Sequence, residues 1–152
     1  MVAIAKTFLD THNIDLVTEY QIQGFKFFNK DRISRRGGGV ATYIREYLNP
    51  THHETPADAT TEHISININT GSTTLNFNVV YRKPGQTVEE DIKLYNSLST
   101  AINNKESVIV GDFNLPNINW TNNVGIESES HRLLDFIEDN FLHQSVTEPT
   151  RD

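Results

Sequence analysis

Apolar positions recur at two spacings along this chain, and the spacings separate strands from helices. Val2 to Ala5 is a short apolar run that predicts a strand almost at the first residue. Gly24 to Phe28 and Val40 to Ile44 alternate with period two, with a basic, glycine-rich turn between them. Residues 49–61 carry no periodicity and read as a loop. His63 to Asn69 places Ile64, Ile66 and Ile68 on one face, with Ser65 and Asn67 on the other. Thr74 to Arg82 repeats the pattern with Leu75, Phe77, Val79 and Tyr81, and Gly71-Ser72 between these runs predicts a hairpin. Thr87 to Glu90 has the form of a capping box, in which hydroxyl and carboxylate satisfy amides at a helix start. Val88, Ile92, Tyr95, Leu98 and Ile102 then follow helical spacing. Ser107 to Val110 is an unbroken apolar strand, which predicts burial on both faces. After Ser130, the residues Leu133, Ile137 and Phe141 mark a second helix with its acids toward water. Strands, a hairpin, a helix, a strand and a helix in this order predict a mixed α/β sandwich, sheets inside and helices outside.

Composition narrows this picture. A length of 152 residues suits one domain, and 36% hydrophobic residues with 14 aromatics suffice for a core. Asn and Thr, 16 of each, fit turns and strands better than a helical bundle. There is no cysteine, which excludes disulfides and Cys-ligated zinc. No apolar run approaches the roughly 20 residues of a membrane helix, and the N-terminus lacks the pattern of a secretory signal. The net charge of −7 argues against sequence-blind nucleic-acid binding through overall charge. Its distribution is uneven. Lys26, Lys30, Arg32, Arg35, Arg36 and Arg45 face a single nearby acid, Asp31, while Glu127 to Asp139 is acidic. Arg32, Arg35 and Arg36 in a glycine-rich turn suit either phosphate contacts or a solvated basic turn.

Candidate chemistry centres on Val108-Ile109-Val110-Gly111-Asp112-Phe113-Asn114. In an extended chain Asp112 and Asn114 point the same way, at the open end of a sheet. An acid beside an amide holds and deprotonates a water, or shares oxygen ligation of a divalent cation; the same pair also suits a turn. His52, His53 and His63 lack paired ligand spacing, so a metal cluster there is not expected.

The segments GGGVATYIRE, NVVYRKPG, GDFN followed by Trp120, and SVTEPTR occur in that order. Together they resemble the endonuclease/exonuclease/phosphatase superfamily. Within it they are most similar to the apurinic-endonuclease-like domain of non-LTR (LINE-type) retrotransposons. The likeness covers nearly the whole chain. It implies a DNase I-like four-layer α/β sandwich and cleavage of a DNA phosphodiester that depends on Mg²⁺ or Mn²⁺. The DNA nick would prime a linked reverse transcriptase, with no membrane involved and a nuclear location if chromosomal DNA is the target. By the resemblance, Asp112 activates the attacking water, Asn114 holds that water or a phosphate oxygen, and Tyr81 contacts the scissile phosphate.

Two departures from the family pattern stand out. The position of a metal-binding glutamate is Lys6, within Ala5-Lys6-Thr7-Phe8-Leu9. No Ser-Asp-His segment follows, nor does an Asn-bearing strand precede. Residues 1–152 are therefore expected to be a partial domain, truncated at both termini. Two readings stay open: an endonuclease domain, or a catalytically dead copy that at most binds nucleic acid.

Overall fold

In the computed structural model, which describes residues 1–7, 19–32, 38–53 and 61–146, the period-two runs form two sheets. The strands are β1 (Val2–Ala5), β2 (Phe25–Lys30), β3 (Val40–Arg45), β4 (Thr51–His52), β5 (His63–Asn69), β6 (Thr74–Tyr81) and β7 (Glu106–Asp112). The helices bounded within the described residues are α1 (Val88–Ile102) and α2 (Ser128–Asp139), and a 3-10 turn spans Glu46–Leu48. The small sheet has the order β1-β3-β2 and is antiparallel throughout. The large sheet has the order β4-β5-β6-β7, with β6 and β7 parallel across the α1 crossover.

The predicted hairpin is β5–β6, in register from His63 opposite Val80 to Asn69 opposite Thr74. Its turn closes with the Thr70 amide donating to the Thr73 carbonyl, and Gly71 takes a φ of +91°. That conformation favours glycine. The aperiodic stretch after Asn49 nevertheless contributes β4, which pairs Thr51 with Asn67.

Alternation sorts the side chains into two cores. Val40 and Ile44 of β3 meet Ile64, Ile66, Ile68, Phe77, Val79 and Tyr81 between the sheets. On the other face of the large sheet, Val80 packs with Leu94, Tyr95, Leu98 and Ile102 of α1 and with Leu133 and Phe136 of α2. The order is small sheet, large sheet, helices, so the described residues supply three of the four expected layers.

Three details differ from the expected pattern. Strand β7 is an edge strand among the described residues, so Val108 is 40% exposed rather than buried on both faces. Helix α2 ends at Asp139, and Phe141 lies past its cap with φ +53° and 96% exposure. Ser130, Leu133 and Phe136 are its buried residues, and the helix stops before position 141 could join their face. In α1 the capping box is present, with the Thr87 hydroxyl accepting from the Glu90 amide. Its inward stripe, however, runs Asp91, Leu94, Tyr95, Leu98, Ala101 and Ile102, leaving Val88 and Ile92 half exposed. A buried aspartate has taken the first inward place.

The polar face of the β5–β6 hairpin is also buried, beneath α1. His63 is 1% exposed; its Nε2 lies 2.9 Å from Asn78 Oδ1 and its Nδ1 3.3 Å from Ser97 Oγ. The Asn78 amide donates to Asn76 Oδ1 (2.7 Å), and the Asn76 amide donates to Ser65 Oγ (2.8 Å). A neutral imidazole, donor at Nε2 and acceptor at Nδ1, satisfies this ladder. Burial pushes the His63 pKa down to about 4 from its ordinary 6.5. The unfolded chain therefore takes up a proton near pH 6.5 that the folded chain refuses until about pH 4. Stability is complete above the unfolded value and falls as the medium is acidified, by about 2 kcal/mol between pH 7 and pH 5. Urea unfolding at those two pH values measures the loss. His63→Gln should flatten it; an unchanged pH dependence in that variant would contradict the assignment.

Candidate active site

Strands β6 and β7 end together. Their parallel register sets Tyr81 beside Asp112, and the ladder continues one step as the Arg82 amide donates to the Asp112 carbonyl (2.9 Å). Gly111 permits this approach, because a Cβ there would run into the Val80 carbonyl. Beyond Asp112 the chain turns sharply. Asn114 adopts φ +51°, a left-handed conformation that Asn tolerates, and its amide donates to Asp112 Oδ1 (3.1 Å). The Asn114 side chain folds back so that Nδ2 donates to the Arg82 carbonyl (2.8 Å). The two side chains are thus not parallel neighbours on an extended strand, as their spacing predicts. An Asx turn stacks Asn114 over the carboxylate and turns its amide toward β6. Both residues remain partly exposed, and Phe113 between them packs with the helix-side core.

Opposite lies the end of the small sheet. The Lys6 amide donates to the Gly39 carbonyl (2.8 Å) just after β1, and Lys6 itself has φ +62°. The Gly39 amide donates to Glu62 Oε2, and the Glu62 carbonyl accepts from the Tyr81 amide (2.9 Å). Arg32 Nε donates to Glu62 Oε1 (2.6 Å), and its guanidinium carbon sits 5.9 Å from the centre of the Tyr81 ring. Lys6, Arg32, Glu62, Tyr81, Asp112 and Asn114 therefore share one end of the sandwich. The Tyr81 ring belongs to the inter-sheet core and is only 6% exposed. Arg32 is engaged by a carboxylate, and Arg35 and Arg36 lie outside the described residues.

The described residues bring the Asp112 carboxylate to this end but do not complete a site for a divalent cation held by the protein. Magnesium is ordinarily bound through one or two carboxylates with water and substrate phosphate. At this end the Glu62 oxygens are taken by Arg32 and the Gly39 amide. An ammonium, Lys6, stands where the resemblance puts a glutamate. No group of three potential ligands occurs among the described residues.

Sequence reasoning missed what lies behind the turn. Arg82 is fully buried and donates from Nε to Asp91 Oδ1 (2.7 Å) and from Nη2 to Asp91 Oδ2 (3.1 Å) and Glu129 (3.1 Å). Arg132 Nη2 and Gln86 Nε2 also donate to Asp91, at 3.0 and 3.1 Å. Burial opposes the Arg82 charge, but the Asp91 and Glu129 carboxylates outweigh it and raise its pKa. Burial and the same Asp91 raise the pKa of the neighbouring Tyr95 hydroxyl. Two signals were present in the sequence: period two puts Arg82 on the helix side after Val80, and Asp91 interrupts the apolar stripe of α1.

The architecture is that of DNase I-like endonucleases. The endonuclease domain of TRAS1, a telomere-specific non-LTR retrotransposon, superposes with a TM-score of 0.60 at 15% identity, over 80% of this chain and 55% of that one. A D. rerio TDP2 humanized by 14 mutations matches at 14% identity over 84% of this chain and 57% of its own, with a TM-score of 0.49. D. rerio TDP2 complexed with a single-strand DNA product matches at 13% identity over 84% and 52%, again with a TM-score of 0.49. The chain spans about half the length of these structures. No curated protein is similar enough in sequence to match it. The profile of the endonuclease-reverse transcriptase family matches residues 75–152, which carry Tyr81, Arg82, Asp91, Asp112 and Asn114. The chain belongs to that family, within the endonuclease/exonuclease/phosphatase superfamily.

Proposed function

We propose that this chain is the DNA-cleaving part of a retrotransposon-type endonuclease domain and that it hydrolyses a phosphodiester at the Tyr81–Asp112–Asn114 end. The pairing of Tyr81 with Asp112 at the mouth of the parallel β6–β7 pair, with Asn114 turned onto it, supports this reading. In it, the Asp112 carboxylate takes the proton of a water as that water attacks phosphorus in line, the opposite P–O bond breaks, and the departing sugar oxygen takes a proton from solvent. Asn114 Nδ2 is engaged by the Arg82 carbonyl, which leaves Oδ1 to accept from that water and orient it. The Tyr81 hydroxyl, at the rim of the core, donates to a phosphate oxygen.

Positive charge at this end comes from Lys6, Lys30 and Arg32, with Arg35 and Arg36 in the same connection. No step is assigned to Mg²⁺ or Mn²⁺, since the described residues do not complete a donor set for one. The substrate is DNA, and a reverse transcriptase in the longer polypeptide would extend the nicked strand, in the nucleus where that strand is chromosomal.

Supercoiled plasmid incubated with the chain in Mg²⁺, in Mn²⁺ and in chelator tests the reading. Open circles should accumulate in at least one arm. Plasmid left supercoiled in all three, by protein that still retards DNA in a gel, would make the chain a non-cleaving copy.

A further inference from the structure

Arg82 touches every residue of the turn that carries the proposed chemistry. Its amide donates to the Asp112 carbonyl (2.9 Å), Nη1 donates to the Phe113 carbonyl (3.3 Å), and its carbonyl accepts from Asn114 Nδ2 (2.8 Å). Its guanidinium, with 0% side-chain exposure, is gripped by Asp91 of α1, also 0% exposed, and by Glu129 of α2. Arg132 holds Asp91 from the α2 side. We infer that Arg82, anchored by Asp91 and Glu129, is a positioning residue: it fixes the Asp112–Asn114 turn against both helices.

Stability alone does not account for this cluster. Burying ions costs several kcal/mol of desolvation each, and apolar side chains of the same volume commonly serve as well. What an apolar residue cannot supply is a planar fork of donors that binds two carboxylates and a loop carbonyl at once. Lysine cannot supply it either, because its ammonium is a compact point charge with three donors. The arrangement therefore trades hydrophobic packing for geometry at the turn. Small displacements there are costly, since misplacing a reacting group by about 1 Å can cost roughly 10²-fold in rate.

The kinetic consequence rests on the proposed function, whereas the structural one does not. The test therefore has two readouts on the full chain. Amide hydrogen exchange is followed at Asn114, whose N–H is held by Asp112, and at Ile66 and Val79 in the large sheet as internal references. Plasmid nicking supplies kcat and KM. In Arg82→Lys the Asn114 amide should exchange about tenfold faster while the reference amides keep their protection, as local opening requires. In the same variant kcat should fall about 10²-fold with KM within about twofold.

Glu129→Gln, at the partly exposed end of the network, should shift the same two readouts in the same direction by about threefold. It decides the matter if Arg82→Lys does not fold. Lys83→Gln, which breaks the partly exposed pair with Glu90 outside this network, should change neither. Wild-type protection of Asn114 in a folded Arg82→Lys or Glu129→Gln chain would overturn the inference. A wild-type chain that does not nick would remove the proposed function, and the exchange result would still decide the role of Arg82.

Discussion

Asp112→Asn should lower the plasmid-nicking rate by about 10²- to 10⁴-fold, the range lost when a positioned general base is removed, and leave the fold intact. The substitution is chosen for what it keeps. An amide oxygen still accepts the Asn114 N–H, so the Asx turn that shapes the site survives. The Asp112 carbonyl still receives the Arg82 amide, and the β6–β7 register is untouched. Only the carboxylate charge and its capacity to take a proton disappear. Initial rates of open-circle formation for the two proteins, alongside their melting temperatures, isolate that change. A variant that nicks at the parental rate would remove Asp112 from the mechanism.

Asp91→Ala should destabilise the chain by about 3–5 kcal/mol, the usual cost of stripping one partner from a buried pair. The side chain lost accepts from Arg82, Arg132 and Gln86 and is the carboxylate of α1 that binds Arg82. Glu129 remains, but it binds only one guanidinium nitrogen and is 36% exposed, so it cannot compensate a fully buried cation. A typical domain has about 5–15 kcal/mol in total, so the variant would be marginal at room temperature. Equilibrium urea unfolding near pH 8, above the ordinary His63 value of 6.5, reads the difference with little titration change. A loss below about 1 kcal/mol would show that the cluster is not needed for folding.

The fold was largely legible because its signals are local. Ile64, Ile66 and Ile68 alternate cleanly, and so do Leu75, Phe77, Val79 and Tyr81; these two runs became the central hairpin. Thr87 and Glu90 announced the start of α1, and the structure closes that capping box. What escaped depends on partners distant in sequence. An apolar run at Ser107–Val110 reads the same for a central strand and for an edge strand, and neighbouring strands alone decide which it is. The role of Asp91 was not readable because its partners, Arg82 and Arg132, come from a strand end and a second helix.

The site was legible in part, for the same reason. Asp112, Asn114 and Tyr81 sit in motifs, and the structure brings them to one end of the sandwich. Their relative geometry was not readable, because Asn114 leaves the extended conformation that the spacing argument assumes. Glu62 was overlooked because its role comes from contacts with Arg32 and Gly39, more than twenty residues away. Lys6, by contrast, was visible as a departure in the sequence and lies at the end of β1 beside the same loops.

A DNA phosphodiester held where β6 and β7 end would perturb the amides around it. Titrating the isotope-labelled Asp112→Asn chain with a short DNA duplex and following backbone amide shifts tests that placement most directly, because the substrate survives the measurement. The largest shifts are expected at Tyr81, Arg82, Asp112 and Asn114, with Lys6 and Gly39 next, and little change along the acidic outer face of α2. Shifts confined to the helices, or none at this end at saturating DNA, would contradict it.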